Sequence, residues 1–177
     1  MNVAQIIPAA AVAVGISAAI TDVKERRIPN RLTYSAIVGG LVLQAALHGW
    51  RGLLLGGGGI LLFGGVFMLF YIVHAMGAGD VKLAAALGSI VGYPATLPVM
   101  YATAVAGGAI AILFMVLSGR VVETLRNVLF VSGFHLRHGL QMHPKVNLDN
   151  PSGARMPYGV AFAAGTLYWA ISGQLGR

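Results

Sequence analysis

The chain has 177 residues, 57% of them hydrophobic and only 10% charged, with 25 glycines, no cysteine and a formal net charge of +7. A soluble domain carries roughly 25% charged residues, so a polytopic membrane protein is expected instead. The missing cysteines exclude a disulfide scaffold, a thiolate nucleophile and Cys-ligated zinc or iron–sulfur sites. The positive charge does not point to nucleic acid, because the basic residues sit between apolar runs, where they orient a membrane protein.

Apolar runs of about 20 residues mark the predicted spans. The first covers residues 3–20. It lacks Lys and Arg and a small-residue cleavage signature, and reads as an uncleaved span rather than a secretory signal. The second, 32–47, is a little short and is flanked by Arg31 and His48 as interfacial ends. The third is 53–76. The fourth, 81–93, is too short to cross without tilt, bilayer thinning or burial among neighbours. The fifth is 95–118 and, after a polar stretch at 119–155, the last is 157–175. The expected fold is all-α, a single domain over 1–177 with about six transmembrane helices.

The loops after the first, third and fifth spans hold Lys24, Arg26, Arg27, Arg31, Lys82, Arg120, Arg126, Arg137, Lys145 and Arg155; the opposite side holds Arg51 and Arg177. The positive-inside rule therefore places the first group in the cytoplasm and both termini outside. Within the spans, Gly39 with Gly40, Gly56 to Gly59, Gly64 with Gly65 and Gly107 with Gly108 suit close helix packing. Glycine also permits bending, so mobility is expected in the third span. In the 119–155 loop, Val121, Val122, Leu125, Val128, Leu129 and Phe134 approximate one apolar helical face. With the nearby arginines this reads as a cytoplasmic interfacial helix against anionic lipid.

Asp22, Glu25, Asp80, Glu123 and Asp149 are the five acidic residues. Asp22 follows the first span and Asp80 follows the third. One span leads out and the next leads back, so both reach the same membrane face. Two carboxylates sharing a site split their pKa values, leaving one protonated and one ionised near neutral pH. The ionised member can take a proton from water while the other donates to a carbonyl oxygen, as in aspartic proteases. Gly77 and Gly79 would let the backbone before Asp80 bend sharply. A bland alternative stays open: Asp22 and Glu25 have capping-box spacing, and Asp80 can be the N-cap of a helix beginning at Val81.

Other protease chemistries fare worse. No serine has glycine two residues before and one after it, and there is no His-Glu-x-x-His. His135, His138 and His143 lie on a basic loop without a nearby carboxylate, so no metal site is expected. His74 reads as a helix-end histidine that can tune Asp80. Asp149 belongs to turn chemistry in Asp149-Asn150-Pro151-Ser152-Gly153.

The runs Asp22-Val23-Lys24-Glu25-Arg26-Arg27-Ile28-Pro29-Asn30 and Gly77-Ala78-Gly79-Asp80-Val81-Lys82-Leu83, with the late Pro157-Tyr158-Gly159, resemble the type IV prepilin peptidases. These are membrane aspartic proteases with a G-x-G-D motif. The resemblance implies that Asp22 and Asp80 are the catalytic pair. Gly77 and Gly79 would support the motif, and Lys82 would either steer local charge or snorkel to the headgroups. It implies further a prepilin or pseudopilin substrate, cut before its apolar helix at the cytoplasmic face of the inner membrane, with membrane lipid as surroundings. Larger bacterial members carry a cysteine-bearing cytoplasmic segment and methylate the new N-terminus. Here the turn between Thr21 and Leu32 is short and cysteine is absent, so a peptidase without methyltransferase activity and without a cofactor is expected. The compact form resembles the peptidases of tight-adherence (Flp) pili more than archaeal preflagellin peptidases. Two rivals stand beside this reading: a proton- or cation-coupled transporter or pilus assembly-platform subunit, and a presenilin-like peptidase, which lacks the Arg-x-Ile-Pro-Asn context.

Overall fold

A computed structural model describes residues 3–73, 75–119 and 157–175, with the isolated positions 121, 122, 126, 129, 130 and 133. The described chain is helical throughout, without strand. Its elements are α1 (Val3–Glu25), α2 (Asn30–His48), α3 (Trp50–Gly59), a π-helical segment (Ile60–Gly64), α4 (Gly65–Ile72), α5 (Ala78–Val91), α6 (Thr96–Leu117) and α7 (Gly159–Leu175). Because α3, the π segment and α4 run on without a break, they form one rod, and the described chain has six. Three stretches, Gln5–Glu25, Trp50–Ile72 and Thr96–Leu117, are long and apolar enough to cross a membrane. The interfacial helix expected in the 119–155 loop lies for the most part outside the described residues. His74, His135, His138, His143 and Asp149 lie outside them altogether.

Helices α1, α2 and α5 each end at a residue of positive φ. Gly49, at φ 63°, closes α2 with its N–H on the Ala45 carbonyl at 2.8 Å. Gly92, at φ 74°, closes α5 on Gly88 at 2.9 Å. The same task at the end of α1 falls to Arg26, at φ 51°, whose N–H reaches the Asp22 carbonyl at 2.9 Å. For a residue with a Cβ this conformation costs roughly 1–2 kcal/mol.

Helix α5 answers the question raised by its length. Its 14 residues rise about 21 Å, short of the roughly 30 Å hydrocarbon core. It is buried instead: Val81, Leu83, Ala84 and every residue from Ala86 to Val91 are hidden from the exterior. It packs against α2 and the third rod, and also touches α1. On the other side, α7 lies between α1 and α6. Phe63 and Phe67 join the third rod to α7, with ring centroids 5.6 and 5.1 Å from Phe162.

Glycine makes the close approaches possible. At Gly59 and Gly88 the backbones of α3 and α5 meet so tightly that a Cβ on either residue would overlap the other's carbonyl. Gly40 leaves the same kind of gap for Ser89, and Gly56 for Leu41 and the Ser89 carbonyl. By contrast, Gly39, Gly57, Gly65 and Gly108 face open space. Buried Gln44 locks α2 onto the end of α5, its Nε2 donating to the Ile90 carbonyl at 2.8 Å.

Candidate active site

Asp22 sits in the last turn of α1 and is 8% exposed. It starts no helix, so the capping box with Glu25 does not form. Its Oδ2 instead accepts a 2.7 Å hydrogen bond from the N–H of Gly159, the first residue of α7. A carboxylate at the C-terminal end of its own helix faces that helix's negative pole; the positive pole of α7 offsets this. Only glycine leaves room for the arrangement. A Cβ at 159 would lie 2.9 Å from the Asp22 Cβ, 3.0 Å from its Oδ2 and 3.1 Å from the Ala18 carbonyl oxygen.

Asp80 occupies the third position of α5, because the helix begins at Ala78 and not at Val81. The N-cap is therefore Gly77, in an extended conformation at φ −79° and ψ 154°. Its N–H donates to the Asp80 Oδ2 at 3.1 Å. The chain bends at Ala75 and Met76 before Asp80, but neither Gly77 nor Gly79 is in the left-handed region, so the turn uses no conformation reserved for glycine. Gly77 matters for space, since a Cβ there would stand 3.3 Å from the Asp80 Oδ2. At Gly79 a Cβ would make ordinary contact with Ile28, at 3.4 Å.

Asp80 precedes the apolar body of α5 and lies outside the three membrane-crossing stretches. Burial pushes its carboxyl up from the ordinary 3.8 to about 6. The Gly77 hydrogen bond opposes this rise, and repulsion from Asp22 adds to it. Tyr158, the residue before Gly159, is partly buried. The Tyr158 ring lies 6.3 Å from Phe67 and 6.1 Å from Phe162. Three elements thus converge: the end of α1 with Asp22, the start of α5 with Asp80, and the Tyr158-Gly159 entry to α7.

Lys82 is held by two neighbours on α2. Its Nζ donates to the Asn30 Oδ1 at 2.8 Å and stands 5.3 Å from the centre of the Tyr34 ring. Sequence reasoning left two contacts unread. Pro157-Tyr158-Gly159 carried part of the resemblance but was given no structural role, although a Pro-Tyr-Gly turn opening an apolar span was a usable signal. Asn30 entered only as the last residue of the run that begins at Asp22. Among the described residues no three His, Asp or Glu side chains form a metal-holding group. What the site offers is a pair of unequal carboxyl groups within electrostatic reach of each other, one held by a helix-terminal N–H and one that binds a proton near pH 6.

The comparisons with known proteins bear on the same stretch. The prepilin peptidase EppA of Methanocaldococcus jannaschii is 38% identical over 77 residues, which are 44% of this chain and 21% of that protein. The match thus spans about a fifth of that relative's length. No solved structure matches the chain. The family model described as the type IV leader peptidase family matches residues 9–112. That is more than half of the sequence, and it includes Asp22, the turn to Asn30, and the run from Gly77 to Lys82. On that match, the chain belongs to the type IV leader peptidase family.

Proposed function

We propose that this protein is a membrane-embedded aspartic endopeptidase that removes the short basic leader from type IV prepilins or pseudopilins, with Asp22 and Asp80 as its catalytic pair. Family membership supports the substrate class. The observation that carries the chemistry is the electrostatic contact between two carboxyl groups held in different ways.

Asp80, whose burial favours the neutral acid, is the proton donor, and Asp22 is the base. Asp22 takes a proton from water as the water oxygen attacks the scissile carbonyl carbon, while Asp80 gives its proton to the carbonyl oxygen. The tetrahedral intermediate then collapses: the C–N bond breaks, the leaving amine takes the proton held by Asp22, and the new carboxyl group forms. The hydroxyl proton of the intermediate returns to Asp80, so both residues end as they began. The gain over uncatalysed hydrolysis comes from placing water, carbonyl and both carboxyl groups together beforehand.

The wider reading has six spans, both termini outside, and the pair at the cytoplasmic face of the inner membrane. It is supported by the side on which the basic residues gather. A substrate helix would stay in lipid while its leader bends into the site. The short turn after α1 and the absence of cysteine support a peptidase of the Flp type without methyltransferase activity.

The test is cleavage of a purified Flp-type prepilin in liposomes, without added metal or S-adenosylmethionine. Wild type is expected to trim the leader. Asp22→Asn and Asp80→Asn, equally well folded, are expected to lose at least about a thousandfold in rate, as when a catalytic group is removed. Full cleavage by either variant removes that aspartate from the catalytic pair.

A further inference from the structure

Asp22 and Asp80 belong to different helices, and nothing covalent and short joins them. Direct packing of α5 against α1 brings the two near each other, and their separation also depends on what docks the turn after α1 onto the head of α5. That turn is short: four residues, Arg26 to Pro29, join α1 to α2, with Arg26 at φ 51° and Pro29 at φ −63° and ψ 134°. The position of Asn30 is therefore closely coupled to that of Asp22. Lys82 is likewise tied to Asp80, two residues away in one helix.

The side chains of Asn30 and Lys82 meet at 2.8 Å. Tyr34, one turn beyond Asn30 on the same face of α2, lies under the ammonium group at 5.3 Å. Beside them Ile28 rests over Gly79. We infer that Lys82 and Asn30 form a tether that closes a ring from Asp22 through the turn to Asp80, and so fixes how far apart the two carboxyl groups stand. The catalytic part of this inference rests on the proposed pair; the tether itself does not.

The residue types suit the task. An amide at position 30 accepts the lysine hydrogen bond without placing a third negative charge beside the two carboxyl groups. Lysine supplies a long stem and a charged donor, and the Tyr34 face gives the ammonium a second partner. Lys82 is in this reading a positioning residue and touches no substrate.

The absence of cysteine allows a direct measurement. Val23 and Ala78 are exposed and flank the two aspartates; Val23→Cys with Ala78→Cys accepts a pair of spin labels. In detergent-solubilised full-length protein, Lys82→Met and Asn30→Ala should each broaden or shift the distance distribution. The two together should do no more than the larger single effect, and Lys82→Arg should preserve the wild-type distribution. Lys82→Gln serves where Lys82→Met fails to fold. In unlabelled protein, the same single variants should lower kcat for prepilin cleavage about tenfold or more and leave KM within about twofold, as expected for misplaced reacting groups.

An unchanged distance distribution in a folded Lys82→Met variant overturns the tether. Shifted distances with unchanged kcat overturn its catalytic part, as does a kcat loss in which the two variants multiply. If wild type fails to cleave prepilin, the proposed function falls while the distances still decide the tether.

Discussion

A carboxyl group that binds its proton near pH 6 responds to acidity where most aspartates are already ionised. The folded pKa of Asp80, about 6, lies above the ordinary 3.8. The folded state thus holds the proton more tightly than the unfolded chain. The cost of its buried charge is fully present above pH 6 and fades as pH falls through 6 toward 3.8. Asp80→Asn removes that cost. The variant should melt higher than wild type at pH 7.5, by an amount corresponding to about 1–3 kcal/mol, and the two should converge at pH 4. With Asp80 as donor, wild-type cleavage should decline as pH rises above about 6. Scanning calorimetry and a pH–rate profile in the same detergent check both outcomes. Gly159 and Gly79 should behave oppositely. Gly159→Ala pushes on Asp22 from 2.9 Å and should lower cleavage at least tenfold, whereas Gly79→Ala meets Ile28 at ordinary contact and should retain most activity. Asp22 and Asp80 were legible in the sequence because few acidic residues exist and these two end apolar runs. The glycines were legible only as letters: which one needs its space depends on what folds against it.

Between residues and molecule lie the rods. The sequence pattern marked six of them, and the structure has six among its described residues, because apolar runs broken by basic or turn residues leave little freedom of assignment. It left open how the short fourth run is accommodated; the answer is burial on several sides, which depends on distant partners. The start of α5 was placed three residues late, since Gly77 rather than Asp80 caps it. The glycine run in the third rod suggested bending, and a π segment begins directly after Gly59, a feature frequent at functional positions. The backbone meeting of Gly59 with Gly88 leaves no room for relaxation by a side chain alone. Gly88→Ala should therefore destabilise the protein by about 1–3 kcal/mol, read as a lower melting temperature, whereas Gly57→Ala, which faces open space, should not.

At the scale of the molecule apolar side chains lie on both sides of the packed helices. Phe63, Phe162, Leu83 and Leu87 share the interior with small and polar residues such as Ala18, Ala84, Thr33, Thr103 and Ser89, while Val38, Val42, Leu61, Tyr101, Val105 and Leu113 face outward. Such an exterior suits hydrocarbon rather than water, and the close interior packing suits helices that gain nothing from hiding apolar surface. Composition alone had indicated this. Orientation rests on the basic residues, and it can be measured. Lys24→Cys should react with an impermeant maleimide only from the cytoplasmic side, and Trp50→Cys only from the outside; the reverse pattern would place the aspartates on the wrong face for the proposed substrate.

The hydrogen bond from Gly159 to Asp22 spans 137 positions of sequence. A ribosome adding about 5–20 residues per second delivers the first aspartate to the membrane well before the glycine that holds it. Residues 9–112, the stretch shared with the family, include both carboxyl groups but not α7. While the nascent chain is still being threaded into the bilayer, Asp22 has no partner at the head of a seventh helix. On this geometry the Asp22 carboxyl takes up its final setting only after residue 159 has entered the membrane.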